Sequence, residues 1–320
     1  MGLITTCLFS VSVFKYEETK PEKGYLIQAV PFEKWLKKNY CGPACLAMVL
    51  NFWDKTRSFK QQKITDDIYD SESQATYNSE MVLYPRTQGY LSYSFQGDLR
   101  ILKEVVGKGI PVIVLARSQQ KIAKGHYRVV IGFDEDRDQI IFHDPYFGNR
   151  SAMTSENFMK EWEQGQGKNQ SRWMMAVVPA QRPFPFPALQ HDPLTAINLA
   201  TAYYRRSDFM RSREQWEKVR DSGPFPLYSL AMVSLREGKA EEAEAYARQA
   251  ISLDTESAYA HDVLGLAYAG QGRVDQALQS LEQALRLAPG EKFIEKHYQQ
   301  VRALHSERTR LENLKKGVSK

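Results

Sequence analysis

The chain has 320 residues, 42% of them hydrophobic and 25% charged, which is an ordinary composition for a soluble globular protein of about two domains. Its formal net charge of +5 is small for this length, and no basic stripe with interleaved aromatic residues occurs, so we expect no nucleic-acid partner. Three cysteines do not make a disulfide framework, and no Cys/His cluster has zinc-ligand spacing. We therefore expect neither a metal nor another cofactor.

Residues 1–23 are interpreted as an N-terminal lead-in. Residues 3–14 are mostly apolar and include Cys7, but no Lys or Arg precedes them, and the stretch is too short to span a bilayer as a helix. Two interpretations stay open: an atypical or remnant export signal, and a short strand or loose start. We expect membrane association only through this segment. An exported or periplasmic location, with or without membrane attachment, is favoured over a cytoplasmic one.

Residues 24–180 form the first predicted domain. Long apolar or amphipathic runs predict helices, and short β-branched runs bounded by turn residues predict strands. Helices are predicted at 44–53, at 60–69, around Met81, at 98–106 and at 154–162. Strands are predicted at 25–30, 111–116, 127–133, 139–142 and 173–178, with the rest of 70–93 as loop. Helices followed by an antiparallel run of strands indicate an α+β domain.

Alternating prolines stiffen a connection, so residues 181–192 are predicted to be a linker. Residues 193–290 then repeat with a period near 34. In the best copy, small and large residues stand at fixed offsets: Leu264, Gly265, Tyr268, Gly272, Ala277, Leu281, Ala284 and Pro289. The spacing between the first and second copies is 31, which predicts a shortened turn.

This pattern resembles tetratricopeptide repeats. The resemblance implies about three repeats in an all-α solenoid, with residues 291–320 as a charged capping helix and tail. Repeats of this kind present a concave face that binds a protein partner. The alternative is that they only pack on the first domain.

Cys41 is the first candidate for chemistry. It opens the sequence Cys41-Gly42-Pro43-Ala44, and proline is tolerated in the first turn of a helix. A thiol at the N-terminus of a buried helix is favoured as thiolate by the helix dipole and the free backbone N–H groups. Cys45 lies one turn further along and is interpreted as structural, because most buried cysteines behave as small hydrophobes.

A thiolate mechanism also needs a base and a group that orients the base. Four of the six histidines fall in the linker and the repeats, which leaves His126 and His143. His126 follows Gly125 at the start of one predicted strand, and Asp144 follows the other strand of the same hairpin. Pairing around the 134–138 turn places His126 near Asp144. A carboxylate there holds the tautomer of the imidazole and stabilises its cation.

Three short motifs carry a resemblance to a known family. In this order and spacing, Cys41-Gly42-Pro43-Ala44, Gly125-His126-Tyr127 and Asp144-Pro145 with Gly148 resemble the family C39 cysteine peptidases and their C39-like relatives, over about residues 24–180. The resemblance implies a papain-like fold that acts on a peptide or protein substrate. It makes Cys41 the nucleophile, His126 the general base and then acid, and Asp144 the orienting group. The pairing with downstream repeats resembles a bacterial group of stand-alone, export-associated C39-like proteins.

The sequence departs from that family at one position. The family usually has a glutamine six residues before the cysteine as an oxyanion-hole donor, and here Trp35 stands there. The indole N–H, Asn39 and Lys38 are candidate replacements. Losing such a donor costs roughly 10²–10³ in turnover. A catalytically weak or inactive peptide-binding scaffold therefore stays open as an alternative to a peptidase. A cysteine-dependent acyltransferase also stays open, because transglutaminase-like and arylamine acyltransferase folds use the same Cys, His, Asp order.

Overall fold

The computed structural model describes residues 13–17, 20–117, 125–163 and 171–318, with the side chains of 308 and 311–318 left out. The predicted export signal in residues 3–14 therefore lies almost wholly outside the described residues. The chain divides into two compact units, Met1–Asn198 and Leu199–Lys320, called here the N-terminal and C-terminal units. No helix in the described ranges is both long enough and apolar enough to cross a membrane.

The N-terminal unit is built on one antiparallel sheet. Its strands are β1 (Phe14–Lys15), β2 (Gly24–Leu26), β3 (Tyr90–Gln96), β4 (Val112–Ala116), β5 (His126–Asp134), β6 (Gln139–Asp144), β7 (Gly148–Thr154) and β8 (Trp173–Pro179). They are ordered β1-β7-β6-β5-β4-β8-β3, and β2 pairs with β5. The strands β4, β5, β6 and β8 are buried over almost their whole length, as expected for β-branched runs in the middle of a sheet.

Helices cover this sheet. They are α1 (Cys41–Trp53), α2 (Gln61–Ile68), α3 (Asn78–Thr87), α4 (Leu99–Gly107), α5 (Ser155–Glu163) and the short α6 (Pro187–Gln190). The first ten residues of α1 are all buried, and the helix lies against β5 and β8. The Trp53 indole N–H donates to the carbonyl of Val177 in β8 at 2.7 Å, which fixes the far end of α1 on the sheet.

The predicted helices of this unit are present, as are the strands predicted at 111–116, 127–133, 139–142 and 173–178, but one predicted strand is shorter than expected and others were missed. Of the strand predicted at 25–30, only Tyr25 and Leu26 lie in a strand, β2, because the strand ends at Leu26. The prediction missed β3 because serines occupy buried positions in it. The hydroxyl of one of these, Ser92, donates to the carbonyl of Val82, so a polar residue is accommodated where an apolar one was expected. It also missed β7, whose Gly148–Thr154 sequence has no apolar alternation.

The C-terminal unit is all-helical in its described part. Its helices are α7 (Pro193–Arg205, which begins in the N-terminal unit), α8 (Phe209–Glu217), α9 (Pro224–Arg236), α10 (Ala240–Leu253), α11 (Ala258–Gly270), α12 (Val274–Leu287) and α13 (Lys292–Val318). Successive first helices begin at Pro193, Pro224 and Ala258, that is 31 and then 34 residues apart. The shorter spacing comes with a short second helix, since α8 has 9 residues whereas α10 and α12 have 14.

Small residues let the paired helices approach closely. A side chain on Gly265 of α11 would place its Cβ 2.6 Å from Cγ of Leu281 in α12, so only glycine fits this packing. Leu281 and its neighbours Ala277 and Ala284 are fully buried. The predicted architecture, an α+β domain followed by a tetratricopeptide-type helical array, is confirmed.

Candidate active site

Cys41 is the first residue of the buried helix α1, and its side chain is itself buried. The first N–H groups of a helix have no intrahelical partner. Here the preceding residue, Tyr40, makes no side-chain capping bond, and Pro43 has no N–H to donate. The N–H groups of Cys41 and Gly42 are therefore the donors at the head of this helix, next to the thiol.

Gly42 packs closely against its neighbours. A Cβ at this position would lie 3.0 Å from Sδ of Met81 and 3.1 Å from Cβ of Thr76. The head of α1 is thus pressed against α3 and the loop before it. This close fit fixes where the Cys41 backbone sits.

His126 and Asp144 meet across the β5–β6 hairpin. His126 is the first residue of β5 and Asp144 the last residue of β6. The imidazole Nε2 and the carboxylate Oδ1 are 2.8 Å apart, and both side chains are buried. The other ring nitrogen, Nδ1, is buried and makes no hydrogen bond of standard geometry in the part of the chain that the structure describes. It is therefore the atom that is available as a base.

The Asp144 carboxylate accepts four hydrogen bonds. Oδ1 accepts from His126 and from the backbone N–H groups of Tyr146 and Phe147, at 2.8 and 3.0 Å. Oδ2 accepts from Nε of Arg128 at 2.7 Å. A carboxylate held by this many donors is favoured in its charged form.

The electrostatics of the pair agree with this geometry. Burial lowers the pKa of His126, but the charge and hydrogen bond of Asp144, with a further contribution from Cys41, raise it to about 9. Burial raises the pKa of Asp144, but His126 and Arg128 hold it well below its usual range. The pair is therefore an imidazolium–carboxylate pair at neutral pH. The side chain of Cys41 contributes to the raised pKa of His126 through its charge and a hydrogen bond.

Trp35 and Asn39 lie near this cluster. The Trp35 ring, which is half-buried, meets the His126 ring edge-on with centroids 5.8 Å apart, and it also packs against Tyr146 at 5.2 Å. Asn39 has a left-handed backbone (φ 72°), which asparagine tolerates better than most residues. Its amide hydrogen-bonds the Tyr69 hydroxyl, whereas its Oδ1 is buried without a hydrogen-bond partner in the described ranges.

The other histidine of the N-terminal unit, His143, is a structural residue. It precedes Asp144 in β6, so its side chain points to the opposite face of the sheet. Its Nε2 donates to the carbonyl of Val30 at 3.0 Å, and its Nδ1 accepts from the backbone N–H of Arg150 at 3.1 Å. Burial, with smaller effects from Arg150 and Lys15, lowers the pKa of His143 to about 4, so it is neutral. Cys45 is likewise structural, because it is fully buried and burial raises the pKa of its thiol.

The sequence interpretation missed three residues of the cluster. Arg128 and Glu161 are buried and ion-paired behind Asp144, and Tyr146 forms the outer aromatic wall with 41% of its surface exposed. A signal for Arg128 was present, since a charged residue inside an apolar strand two positions after a candidate base indicates a paired buried charge. Among the described residues, no group of three or more His, Cys, Asp and Glu side chains is placed to hold a metal ion.

Comparison with known families places both parts of the chain. Residues 27–169 match the model of the Peptidase_C39 like family. Residues 197–258 and 258–291 match two tetratricopeptide repeat models. None of the curated proteins compared with the chain matches it.

Solved structures of low identity match part of the chain. One is the second such domain of human RPAP3 in complex with an HSP70 peptide, with 24% identity and a TM-score of 0.32 over 34% of this chain and 94% of that chain. Another is MamA from Desulfovibrio magneticus RS-1, with 21% identity and a TM-score of 0.33 over 40% of this chain and 74% of that chain. Residues 27–169 thus match the Peptidase_C39 like family, and residues 197–291 match tetratricopeptide repeats.

Proposed function

We propose that the N-terminal domain is a cysteine peptidase that hydrolyses a peptide bond through Cys41, His126 and Asp144. The observation that carries the proposal is the buried His126–Asp144 hydrogen bond, which leaves the second imidazole nitrogen free beside a thiol at the head of a buried helix. Nucleophile, base and orienting group are the three parts that covalent catalysis by a thiol requires.

The geometry supports a two-step reaction. The Cys41 thiolate attacks the carbonyl carbon of the substrate, a C–S bond forms, and the carbonyl oxygen becomes an oxyanion. The imidazolium of His126 gives its proton to the amine as the C–N bond breaks, which leaves a thioester. His126 then takes a proton from water, whose oxygen attacks the thioester and releases the acid and the thiolate. Asp144 stays ionised throughout and orients the imidazole.

The oxyanion would be stabilised by donors at the head of α1. The N–H groups of Cys41 and Gly42 are placed for this role by the uncapped helix start. Asn39 is the proposed side-chain donor, because it lies two residues before the nucleophile. Its buried Oδ1 has no partner in the described chain, and Nδ2 would take that place in the flipped amide. Amide oxygen and nitrogen exchange places by a flip of the side chain. Trp35 would shield the imidazole instead.

Digestion of a mixed-sequence peptide pool, followed by mass spectrometry, tests the proposal. We expect cleavage by the full chain and no cleavage by Cys41→Ala or His126→Ala. Cys45→Ala is the matched cysteine control and should keep turnover, with folding of every variant checked by circular dichroism. Cleavage that persists in both active-site variants, or a folded wild-type chain that cleaves nothing in the pool, would contradict the proposal.

Trp35 supports a second candidate function, a peptide holder without turnover. Its ring and that of Tyr146 make an aromatic wall against His126, where the family usually has an oxyanion donor. In that case the same pool should yield peptides that co-purify with the chain uncleaved. An acyltransferase would instead join the acyl part of a peptide to an added amine, which the mass spectra distinguish from hydrolysis.

We also propose that the repeats bind an extended protein segment. Phe225, Tyr259 and Phe293 stand 34 residues apart on α9, α11 and α13, and each is 38 to 44% exposed. Their rings form a continuous row through Tyr228, with centroid distances of 5.3, 5.8 and 5.5 Å. Exposed apolar patches of this kind on a folded domain commonly mark interaction sites.

A pocket of about 400 Å³ adjoins this aromatic row. It is connected to the row by the contact between Phe293 and His297. Met232 and Leu266 line it, together with the cationic side chains of Arg236 and Lys296. The row and pocket together fit a segment that carries both apolar and acidic side chains.

Peptide display on the Cys41→Ala chain tests this second proposal. We expect selected peptides to be rich in apolar and acidic residues. Their binding should weaken at least about tenfold in the Tyr259→Ala and Lys296→Glu variants. Leu253→Ala, which removes an exposed apolar side chain that is not part of the row, is the control. Peptides of basic composition, or binding that neither variant changes, would count against the proposal.

A further inference from the structure

Arg128 is a buried cation directly behind the proposed catalytic pair. It is two residues after His126 in β5, so both side chains lie on the same face of the sheet. Val129 pairs with His143 across the hairpin, and one step along that antiparallel register Arg128 faces Asp144. The side chain of Arg128 is completely buried.

Two carboxylates hold the guanidinium from different elements. Its Nε donates to Oδ2 of Asp144 at 2.7 Å, and its Nη1 donates to Oε2 of Glu161 in α5. The guanidinium also lies over the ring of Phe142, 5.1 Å from the centroid. Its Nη2 is buried and has no hydrogen-bond partner in the described chain.

Stability alone gives little reason for such a network. Taking charges out of water costs several kcal/mol per ion in proteins, and apolar residues of similar volume are often as stable as a buried ion pair. This network also leaves one buried donor without a partner, which is a further cost. What the network does supply is a fixed positive charge 2.7 Å from the carboxylate that orients His126.

We propose that Arg128 is a positioning residue, which holds the Asp144 carboxylate ionised with Oδ1 turned to His126 and so sets the pH at which the Cys41–His126 pair becomes reactive. This inference rests on the proposed function of the same site. In the reactive state the four charges on Cys41, His126, Asp144 and Arg128 cancel. Glu161 anchors Arg128 from the far side.

The direction of the pH effect follows from the groups around Asp144. Those facing the cluster are Cys41 and Cys45 from α1, His126, Tyr127 and Arg128 from β5, Glu161 from α5, and Tyr69 just after α2. Arg128 is the cation among them that does not lose its proton. Without it, burial raises the pKa of Asp144, and only His126 and the backbone N–H of Phe147 oppose that rise. Once Asp144 is protonated, the imidazolium and hence the thiolate lose their stabilisation. The thiolate of Cys41 would then form only at higher pH.

Alkylation of Cys41 by iodoacetamide as a function of pH tests the inference without depending on turnover. The wild-type chain, Arg128→Met, Arg128→Lys, Glu161→Gln and the control Arg137→Met are compared, and the modified cysteine is identified by peptide mass spectrometry. Arg137 forms an ion pair with Asp134 at the other end of the same hairpin, so its loss removes a charge but not this network. Where peptide cleavage is measurable, kcat and KM are determined across the same pH range.

We expect the midpoint of Cys41 alkylation to move up by about one pH unit or more in Arg128→Met. Arg128→Lys should bring the midpoint most of the way back to the wild-type value, because it keeps the positive charge. Glu161→Gln should not move the midpoint up, because Arg128 then interacts with Asp144 alone, and Arg137→Met should not move it at all. In cleavage assays of Arg128→Met, kcat should fall and the acidic limb of its pH profile should move to higher pH, whereas KM should change little.

The outcomes separate this inference from the proposed function. If wild-type Cys41 alkylates like an ordinary thiol, the proposed function fails. If wild-type Cys41 is activated but Arg128→Met and Arg128→Lys keep its midpoint, the positioning role is overturned. An equal loss of reactivity at every pH in Arg128→Met and Glu161→Gln, with no shift, would assign the network to structure alone. Should Arg128→Met fail to fold, Arg128→Gln takes its place, with the same upward shift expected and an unchanged midpoint overturning the positioning role.

Discussion

The Asp144→Asn substitution is the most informative perturbation of the site, because it changes charge while keeping shape. The asparagine oxygen would keep the three hydrogen bonds that Oδ1 accepts from His126, Tyr146 and Phe147. Its amide nitrogen then faces Nε of Arg128, where two donors meet. In the opposite rotamer the amide nitrogen would face the three donors on the Oδ1 side. We therefore expect the rotamer whose oxygen faces those donors, with Arg128 still bonded to Glu161.

Two effects on activity follow. The imidazolium of His126 loses its carboxylate, and Arg128 loses one of its two counter-charges. In a comparable serine triad, the same exchange lowers kcat by about 10⁴. We expect a fall of about 10²–10⁴ in kcat for Asp144→Asn, with KM changed much less.

The same substitution changes the pH dependence of stability. The pKa of His126 is raised from 6.5 to about 9 in the folded state, so its ionisation contributes about 3 kcal/mol of folding free energy. That contribution is present below about pH 6.5 and is lost as the pH rises through about 9. In Asp144→Asn the main cause of the raised pKa is gone, and burial lowers it instead.

Urea denaturation at pH 6 and pH 10 measures this contribution. The decrease in unfolding free energy from pH 6 to pH 10 should be about 3 kcal/mol smaller in Asp144→Asn than in the wild-type chain. Other groups that titrate over this range are common to both chains and cancel in the comparison. Equal decreases would refute the account of a buried imidazolium–carboxylate pair.

Three further predictions concern packing and pH. Gly42→Ala should lower the unfolding free energy by about 1–3 kcal/mol and slow Cys41 alkylation, because the new Cβ would be 3.0 Å from Sδ of Met81. Equal stability and reactivity would show that the helix head is not tightly packed. Gly265→Ala should destabilise the C-terminal unit by a similar amount, since the new Cβ would lie 2.6 Å from Cγ of Leu281. In thermal melts, the double variant with Leu281→Ala should lose less stability than the sum of the two single variants, and strict additivity would contradict this. His143 has a folded pKa of about 4, so its neutral form contributes stability that is present above about pH 6.5 and is lost as the pH falls toward 4; a His143→Asn chain should lose less stability over that range in urea titrations, and an unchanged loss would speak against a buried neutral imidazole.

Much of the fold was predictable because most segments have one dominant pattern. The apolar run after Cys41 and the β-branched runs at 112–116 and 126–134 each allow one assignment. The strand β3 was not predictable, since its buried serines are stabilised by partners such as the Val82 carbonyl, which lie elsewhere in the fold. Pattern alone does not indicate that a polar side chain will find such a partner.

Part of the candidate site was predictable because it depends on local pattern. His126 and Asp144 are at the ends of two strands joined by one short turn, so the hairpin alone brings them together. Glu161 comes from α5, and its pairing with Arg128 depends on how that helix packs against the sheet. The aromatic contact of Trp35 with His126 depends likewise on an irregular segment.

Alkylation of Cys41 at pH 6 tests the central claim most directly. The claim is that His126 and Asp144 activate this thiol at the head of α1. It predicts that iodoacetamide modifies Cys41 at least about tenfold faster than it modifies Cys41 in the His126→Ala chain, while Cys45 in the helix interior stays protected. Equal rates in the two chains, or a Cys41 no more reactive than Cys45, would contradict it.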